Sequence, residues 1–272
     1  MEKPFNYRPS ADGPRYTPVT MRSIAFLAAL LAAFPAQAIL IRADRDDTEY
    51  IELATRYPAS IELAAGVEGV LIAPRWVLTS AQAAMLLQDA KARPPLEVGG
   101  TRNAIKATFI HPDWRQGIDA DLALVLLHDA VTGIEPTPIS RDRDEIDEIV
   151  RIAGHGETGR LGDTARQRDG RKRAAINTID RVTPLTLRLR LKPADEASDL
   201  QGAATPGEHG APAFMEISGR ISVAGIFSAN DGDWQVFARV LTFAQWIEDT
   251  MFRAGVEEAA INRHSGRSQR ER

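Results

Sequence analysis

Gly69-Val70-Leu71-Ile72-Ala73-Pro74-Arg75-Trp76-Val77-Leu78-Thr79-Ser80-Ala81-Gln82 holds two short apolar runs, residues 69–72 and 76–79, parted by a proline-bearing break. The same texture recurs at residues 59–64, 104–110, 122–127, 149–153, 186–191, 221–227 and 236–239, with Gly, Pro and Asp between the runs. Many short apolar runs separated by turn residues predict an all-β sandwich or barrel. One segment departs from this texture. Across residues 242–252, Phe243, Trp246, Ile247 and Met251 recur at helical spacing, which predicts a C-terminal amphipathic helix.

Length and composition fit this reading. The 272 residues are 44% hydrophobic and 26% charged, enough for a sizeable core in one or two domains. From Met21 the chain runs Met-Arg, then an apolar stretch to Pro35, then Ala36-Gln37-Ala38. A basic start, an apolar middle and an A-x-A ending form a secretory signal peptide, so residues 1–38 are expected to be removed after Ala38. The polar, Pro-rich residues 1–20 make a poor leader, which points to Met21 as the true start. The apolar stretch is short and Ala-rich, and no stop-transfer pattern follows it. A secreted or periplasmic protein, free of the membrane after cleavage, is therefore expected.

Removing residues 1–38 takes away a net charge of +2 and moves the formal charge from −4 to −6. That balance gives no invitation to nucleic acid. With no cysteine, the fold has no disulfides, and thiol catalysis and Cys-ligated metals are excluded. Residues 141–148 (RDRDEIDE) and 160–173 (RLGDTARQRDGRKR) are expected as solvated loops, and residues 254–272 as a frayed polar tail.

Five ordered blocks then stand out: the opening stretch to Gln82; His111-Pro112 with Asp121-Leu122-Ala123-Leu124-Val125; Ile152-Ala153-Gly154-His155-Gly156 with Thr158; residues 207–214, beginning Gly207-Glu208-His209-Gly210-Ala211-Pro212; and Val223-Ala224-Gly225-Ile226-Phe227-Ser228, followed by Arg239-Val240 and Trp246-Ile247. In this order, with 39 residues from Gln82 to Asp121 and 88 from Asp121 to His209, the chain resembles a trypsin-like (chymotrypsin-fold, S1) serine protease of the bacterial exported kind. The resemblance implies two six-stranded antiparallel β-barrels with a cleft between them and a C-terminal helix, over residues 39–253. It also places Val67 and Ala83 where relatives carry a disulfide.

The same resemblance locates a degenerate triad. Asp121 matches the orienting carboxylate and Ser228 the serine that supports it. Gln82 stands where the imidazole belongs and His209 where the nucleophile belongs. Acyl transfer needs a hydroxyl, a base and an orienting acid. An amide cannot accept a proton near neutral pH. Gly207 and the backbone of His209 match the oxyanion donors, and Ala203, six before His209, matches the residue that sets side-chain preference, here without charge. Glu208 matches the acid that receives the freed N-terminus in relatives; no Ile-Val-Gly-Gly start is present, and cleavage after Ala38 would leave Ile39-Leu40 as the N-terminus that could pair with it.

The expected activity is therefore that of a pseudoprotease binding peptide or protein in the cleft, with a weakly active serine-type hydrolase as the alternative and a purely structural subunit as a third reading. No cofactor is expected. His209 with Asp121 would give a metal only two protein ligands where about three or four are usual. His111 and His155 read as turn or strand-end residues, and His128 and His264 carry no assigned role. Asp119 belongs to the rim, and Ser80 and Thr205, the other hydroxyls near the blocks, read as structural.

Overall fold

The computed structural model describes residues 39–64, 66–89, 96–98, 101–156, 158–161, 168–193, 195–205 and 207–268. The expected signal peptide lies outside them. Two barrel-like β halves and a C-terminal helix make up the fold, as the resemblance implies.

In the first half, five strands are hydrogen-bonded in the order Ser60–Ala64, Val67–Ala73, Trp76–Thr79, Ala123–Leu127, Ile105–Ile110. A hairpin of Leu96–Val98 and Thr101–Asn103 accompanies them. The opening stretch forms the antiparallel pair Val67–Ala73 and Trp76–Thr79, with Val70 facing Leu78 and Leu71 facing Val77. All four of these side chains are fully buried. In the second half, seven strands run in the order Arg173–Thr178, Ile149–Gly154, Pro212–Ile217, Arg220–Asp231, Trp234–Arg239, Thr186–Leu189, Arg181–Val182. The short strand Leu40–Ile41 lies between Gly159–Arg160 and Gly202–Ala203, which ties the start of the domain to its second half.

A single apolar cluster crosses from one half to the other. It includes Val70, Leu78 and Leu124 on one side, Phe214 and Ile226 on the other, and Val240, Phe243 and Ile247 of the helix. Val67 and Ala83 both belong to it, so apolar packing fills the positions where relatives place a disulfide.

Three expectations need correcting. The C-terminal helix runs Val240–Ser268, through much of the segment expected as a frayed tail. Glu257, Glu258 and Ala259 are good helix formers, and Glu258 joins Arg75 at 2.9 Å and Lys106, anchoring the added turns to the first half. The stretch 141–148 is not wholly solvated. Glu145 is fully buried and accepts a hydrogen bond from Arg239 Nε at 2.6 Å. The stretch 160–173 ends inside the protein as well. Arg173 is 2% exposed, with Asp47 and Asp169 each taking a bidentate share of its guanidinium at 2.6–2.9 Å. Two charged partners make such burial tolerable.

Two helices were not anticipated. Asp47–Ala54 starts on a capping box, in which Asp46 accepts from Thr48 N–H and Glu49 returns to the Asp46 N–H. Ala81–Asp89 starts beside Ser80, whose fully buried hydroxyl accepts the Ala83 N–H at 3.0 Å. Among the described residues no helix is long and apolar enough to cross a membrane.

Candidate functional site

Gln82, Asp121, His209 and Ser228 come together from both halves. Asp121 sits just ahead of the strand Ala123–Leu127, and Gln82 lies in the first turn of the helix Ala81–Asp89. Ser228 comes from the long strand Arg220–Asp231. His209 is held by backbone bonding on both sides. Its carbonyl accepts the Glu68 N–H at 3.0 Å, and the next residue, Gly210, donates to Phe227 C=O at 3.0 Å. Gly210 has φ +92°, and a Cβ there would stand 2.1 Å from Glu68 O and 2.2 Å from Thr79 Oγ1. Only glycine lets the loop lie this close to its neighbours.

Asp121 is 1% exposed. Its Oδ1 accepts the Gln82 backbone N–H at 2.9 Å, and its Oδ2 accepts the Ser228 hydroxyl at 2.6 Å. Burial pushes its pKa up, while these two hydrogen bonds pull it down, and burial wins. The side chain of Gln82 does not bridge to Asp121. It is exposed, and its Nε2 lies 3.2 Å from His209 Nε2.

The second ring nitrogen of His209 is engaged as well. Its Nδ1 is 2.8 Å from Ser228 C=O. A carbonyl only accepts, so Nδ1 carries the proton, Nε2 keeps its lone pair, and the Gln82 amide donates to it. The ring lies near-parallel to Phe227, with centroids 6.2 Å apart. Both ring nitrogens are thus engaged in hydrogen bonds, to Ser228 C=O and to the Gln82 amide. The Ser228 hydroxyl already donates to Asp121.

Behind the loop lies a buried acidic group that sequence reading anticipated only in part. Glu208 is fully buried. Its Oε2 accepts the Thr205 N–H at 3.2 Å, the backbone N–H groups of Ile39 and Gly156 lie close enough to lower its pKa, and its Oε1 has no partner among the described residues. Burial, then the neighbouring Glu68, raises its pKa well above the usual range. Ile39 therefore stands where cleavage after Ala38 would place a free amino group. Glu68, also fully buried, was missed. It accepts from His155 through the backbone N–H at 2.7 Å and Nδ1 at 3.1 Å. The signal available in sequence was a lone acid in the apolar strand Val67–Ala73.

The other candidates fall into place around this centre. Ala203 is buried in the strand Gly202–Ala203, and Gly207 adopts φ +117°. Thr205 is buried and donates its N–H to Glu208. Ser80 caps a helix, and Asp119 is exposed. His111 accepts the Asp113 N–H and packs edge-on against Phe243 and Trp246 of the helix. His128 is exposed beside Asp129. The side chain of His264 lies outside those described. Among the described residues no group of three His, Asp or Glu side chains is placed to hold a metal.

The model of the trypsin family matches residues 49–247, which span both halves and every position of this site. No curated protein matches the chain.

Proposed function

The chain belongs to the trypsin family, and from that premise we propose that this serine protease homologue is an exported pseudoprotease that binds peptide or protein in its cleft without cleaving it. The observation that carries this reading is the Gln82–His209 pair. The imidazole stands at the nucleophile's place with its Nδ1–H committed to Ser228 C=O and its Nε2 facing an amide, and among the described residues no second imidazole is hydrogen-bonded to it as a base. Losing nucleophile or base typically costs about a millionfold in turnover, and the two losses act as one.

What the pair offers in exchange is recognition. Exposed Gln82, with its Oε1 and a second Nε2–H outside the contact with His209, presents an acceptor and a donor at the surface, suited to the alternating donors and acceptors of a peptide backbone. The test is to immobilise the chain beginning at Ile39, pass a peptide digest over it and analyse what is retained. Saturable recovery of intact peptides, lost when Gln82 and His209 are both changed to Ala, supports the reading. New peptide termini generated by the wild type and not by that double variant would overturn it. Export is tested in the source cell by N-terminal sequencing, which should begin at Ile39; a chain retaining Met21 would contradict it.

A further inference from the structure

The helix Val240–Ser268 carries apolar side chains on two faces. The inner face is packed: Val240, Phe243 and Ile247 are buried, Trp246 and Met251 lie against the same core, and Glu258 is held by Arg75 and Lys106. The outer face is a separate stripe of Gln245, Asp249, Phe252, Val256 and Ala259, alternately four and three residues apart and all exposed. That spacing keeps one seam of a helix in register with a second helix. Phe252 is 73% exposed, more than any other large apolar side chain among the described residues, and Val256 is 50% exposed. Exposed apolar residues scattered singly are ordinary, but two neighbours on one seam of an anchored helix leave a contact to be made.

Charge along the same seam selects the partner. With the same spacing the stripe continues along the helix to Arg263 and Gly266, so it is acidic at its start, apolar in its middle and basic toward its end. Glu248 is engaged by Arg141, and the exposed Asp249 carboxylate accepts from Gln245 Nε2 at 2.9 Å. Two copies of this helix set antiparallel about Val256 bring Asp249 of each opposite Arg263 of the other. The same setting puts bulky Phe252 against small Ala259, and Val256 against Val256. Set parallel, the copies meet Asp249 on Asp249, Arg263 on Arg263 and Phe252 on Phe252. Like charges at both ends disfavour that arrangement.

We propose that a second copy of the chain docks on this stripe, forming an antiparallel pair of C-terminal helices centred on Val256. The seam from Gln245 to Gly266 runs about 32 Å at 1.5 Å per residue. A single helix pair of this length is at the small end of specific interfaces, and an association of about 10–100 µM is expected. No residue of the Gln82–His209 site takes part, so the pair stands apart from the reading of the cleft.

The experiment uses the chain from Ile39 to Arg272, in which no native cysteine competes with an introduced one. Sedimentation equilibrium up to about 500 µM should show a reversible monomer–dimer equilibrium, and Phe252→Glu should weaken it at least about tenfold. Asp249→Arg and Arg263→Asp should each weaken it, and the two combined should restore it, because each alone creates like-charge contacts that the pair removes. Orientation is read from Val256→Cys and Gln245→Cys under mild oxidation. Val256→Cys should give a disulfide dimer at least about tenfold faster than Gln245→Cys, since an antiparallel pair brings residue 256 of the two copies within disulfide reach and carries residue 245 to opposite ends. A chain that stays monomeric up to about 500 µM, or a dimer that a folded Phe252→Glu variant still forms with equal affinity, would overturn the docking surface. Equal cross-linking at the two positions, or a folded charge-swapped variant that does not regain association, would overturn the antiparallel pair.

Discussion

Asp121 and His209 occupy the two ends of one site and are held in opposite ways. Asp121 is enclosed and fixed by a backbone N–H and a hydroxyl. His209 is part-exposed and fixed by a carbonyl and a surface amide. Ser228 serves both, giving its hydroxyl to Asp121 and its carbonyl to His209. The Asp121–Ser228 bond also joins the first half to the second. The carboxylate therefore has a structural reason to persist without chemistry. On the proposed reading the reacting end has no such role, and Gln82 and His209 stand there.

The largest effect expected from this contrast is a gain. Gln82→His combined with His209→Ser places a base and a hydroxyl next to an orienting acid already in position. The double variant should hydrolyse small activated esters about a thousandfold faster than either single variant, because nucleophile and base act as a unit. A folded double variant no better than the singles would show that Asp121 is positioned for packing alone.

Stability should separate the two ends next. Asp121→Ala strands the Ser228 hydroxyl and the Gln82 N–H, at about 1–3 kcal/mol, which for a domain of this size is roughly 3–10 °C in Tm. His209→Ala gives its partners back to solvent and should move Tm by less than about 2 °C. Calorimetry showing the reverse order would mean that the 207–210 loop, and not the Asp121–Ser228 bond, holds the halves together.

Acid titration sharpens the comparison through Asp169. The hydrogen bond from Arg173 holds this carboxyl down at about 2, from 3.8. Its folded value is below its unfolded one, so its contribution is complete above about pH 4 and is lost as pH falls toward 2. Asp121 runs the other way. Its folded value is raised, so it favours the fold more as pH falls and opposes it as pH rises through that value. Asp169→Asn should flatten the acid limb of a Tm–pH curve, and a variant that melts in parallel with the wild type from pH 5 to 2 would refute this.

The smallest expected change concerns Glu208. Burial raises the pKa of its carboxyl and so favours the uncharged form when residue 38 is still attached, and Glu208→Gln should cost little in that chain. In a chain beginning at Ile39 the same substitution removes the partner of a buried ammonium and should lower Tm by several degrees. Equal Tm changes in the two chains would remove Ile39 from the account.

Much of this was legible in sequence. The runs at residues 76–79 and 105–110 became strands because their apolar and β-branched side chains had a core to enter. The block order named Gln82, Asp121, His209 and Ser228 as neighbours, and the structure brings these four together. Less visible were the features set by partners distant in the chain. Arg173 looks solvated among its basic neighbours until Asp47, 126 residues away, meets it. Glu145 needed Arg239, and Glu68 needed His155. The helix Asp47–Ala54 did advertise itself, through the Asp46 and Glu49 capping pair, but its segment has too little apolar periodicity to stand out. The tethering of the last helix by Glu258 likewise depended on Arg75 and Lys106, both in the first half and more than 150 residues away.

The central claim is that no activated hydroxyl stands at this site, and covalent labelling tests it most directly. The chain beginning at Ile39 is incubated with excess fluorophosphonate probe at neutral pH and its intact mass is measured. The account predicts unmodified protein over hours, in the wild type and in each single variant, with an adduct at position 209 only after Gln82→His and His209→Ser are combined. A stoichiometric adduct on the wild type, mapped to Ser228, Ser80 or any other serine of the cleft, would contradict it.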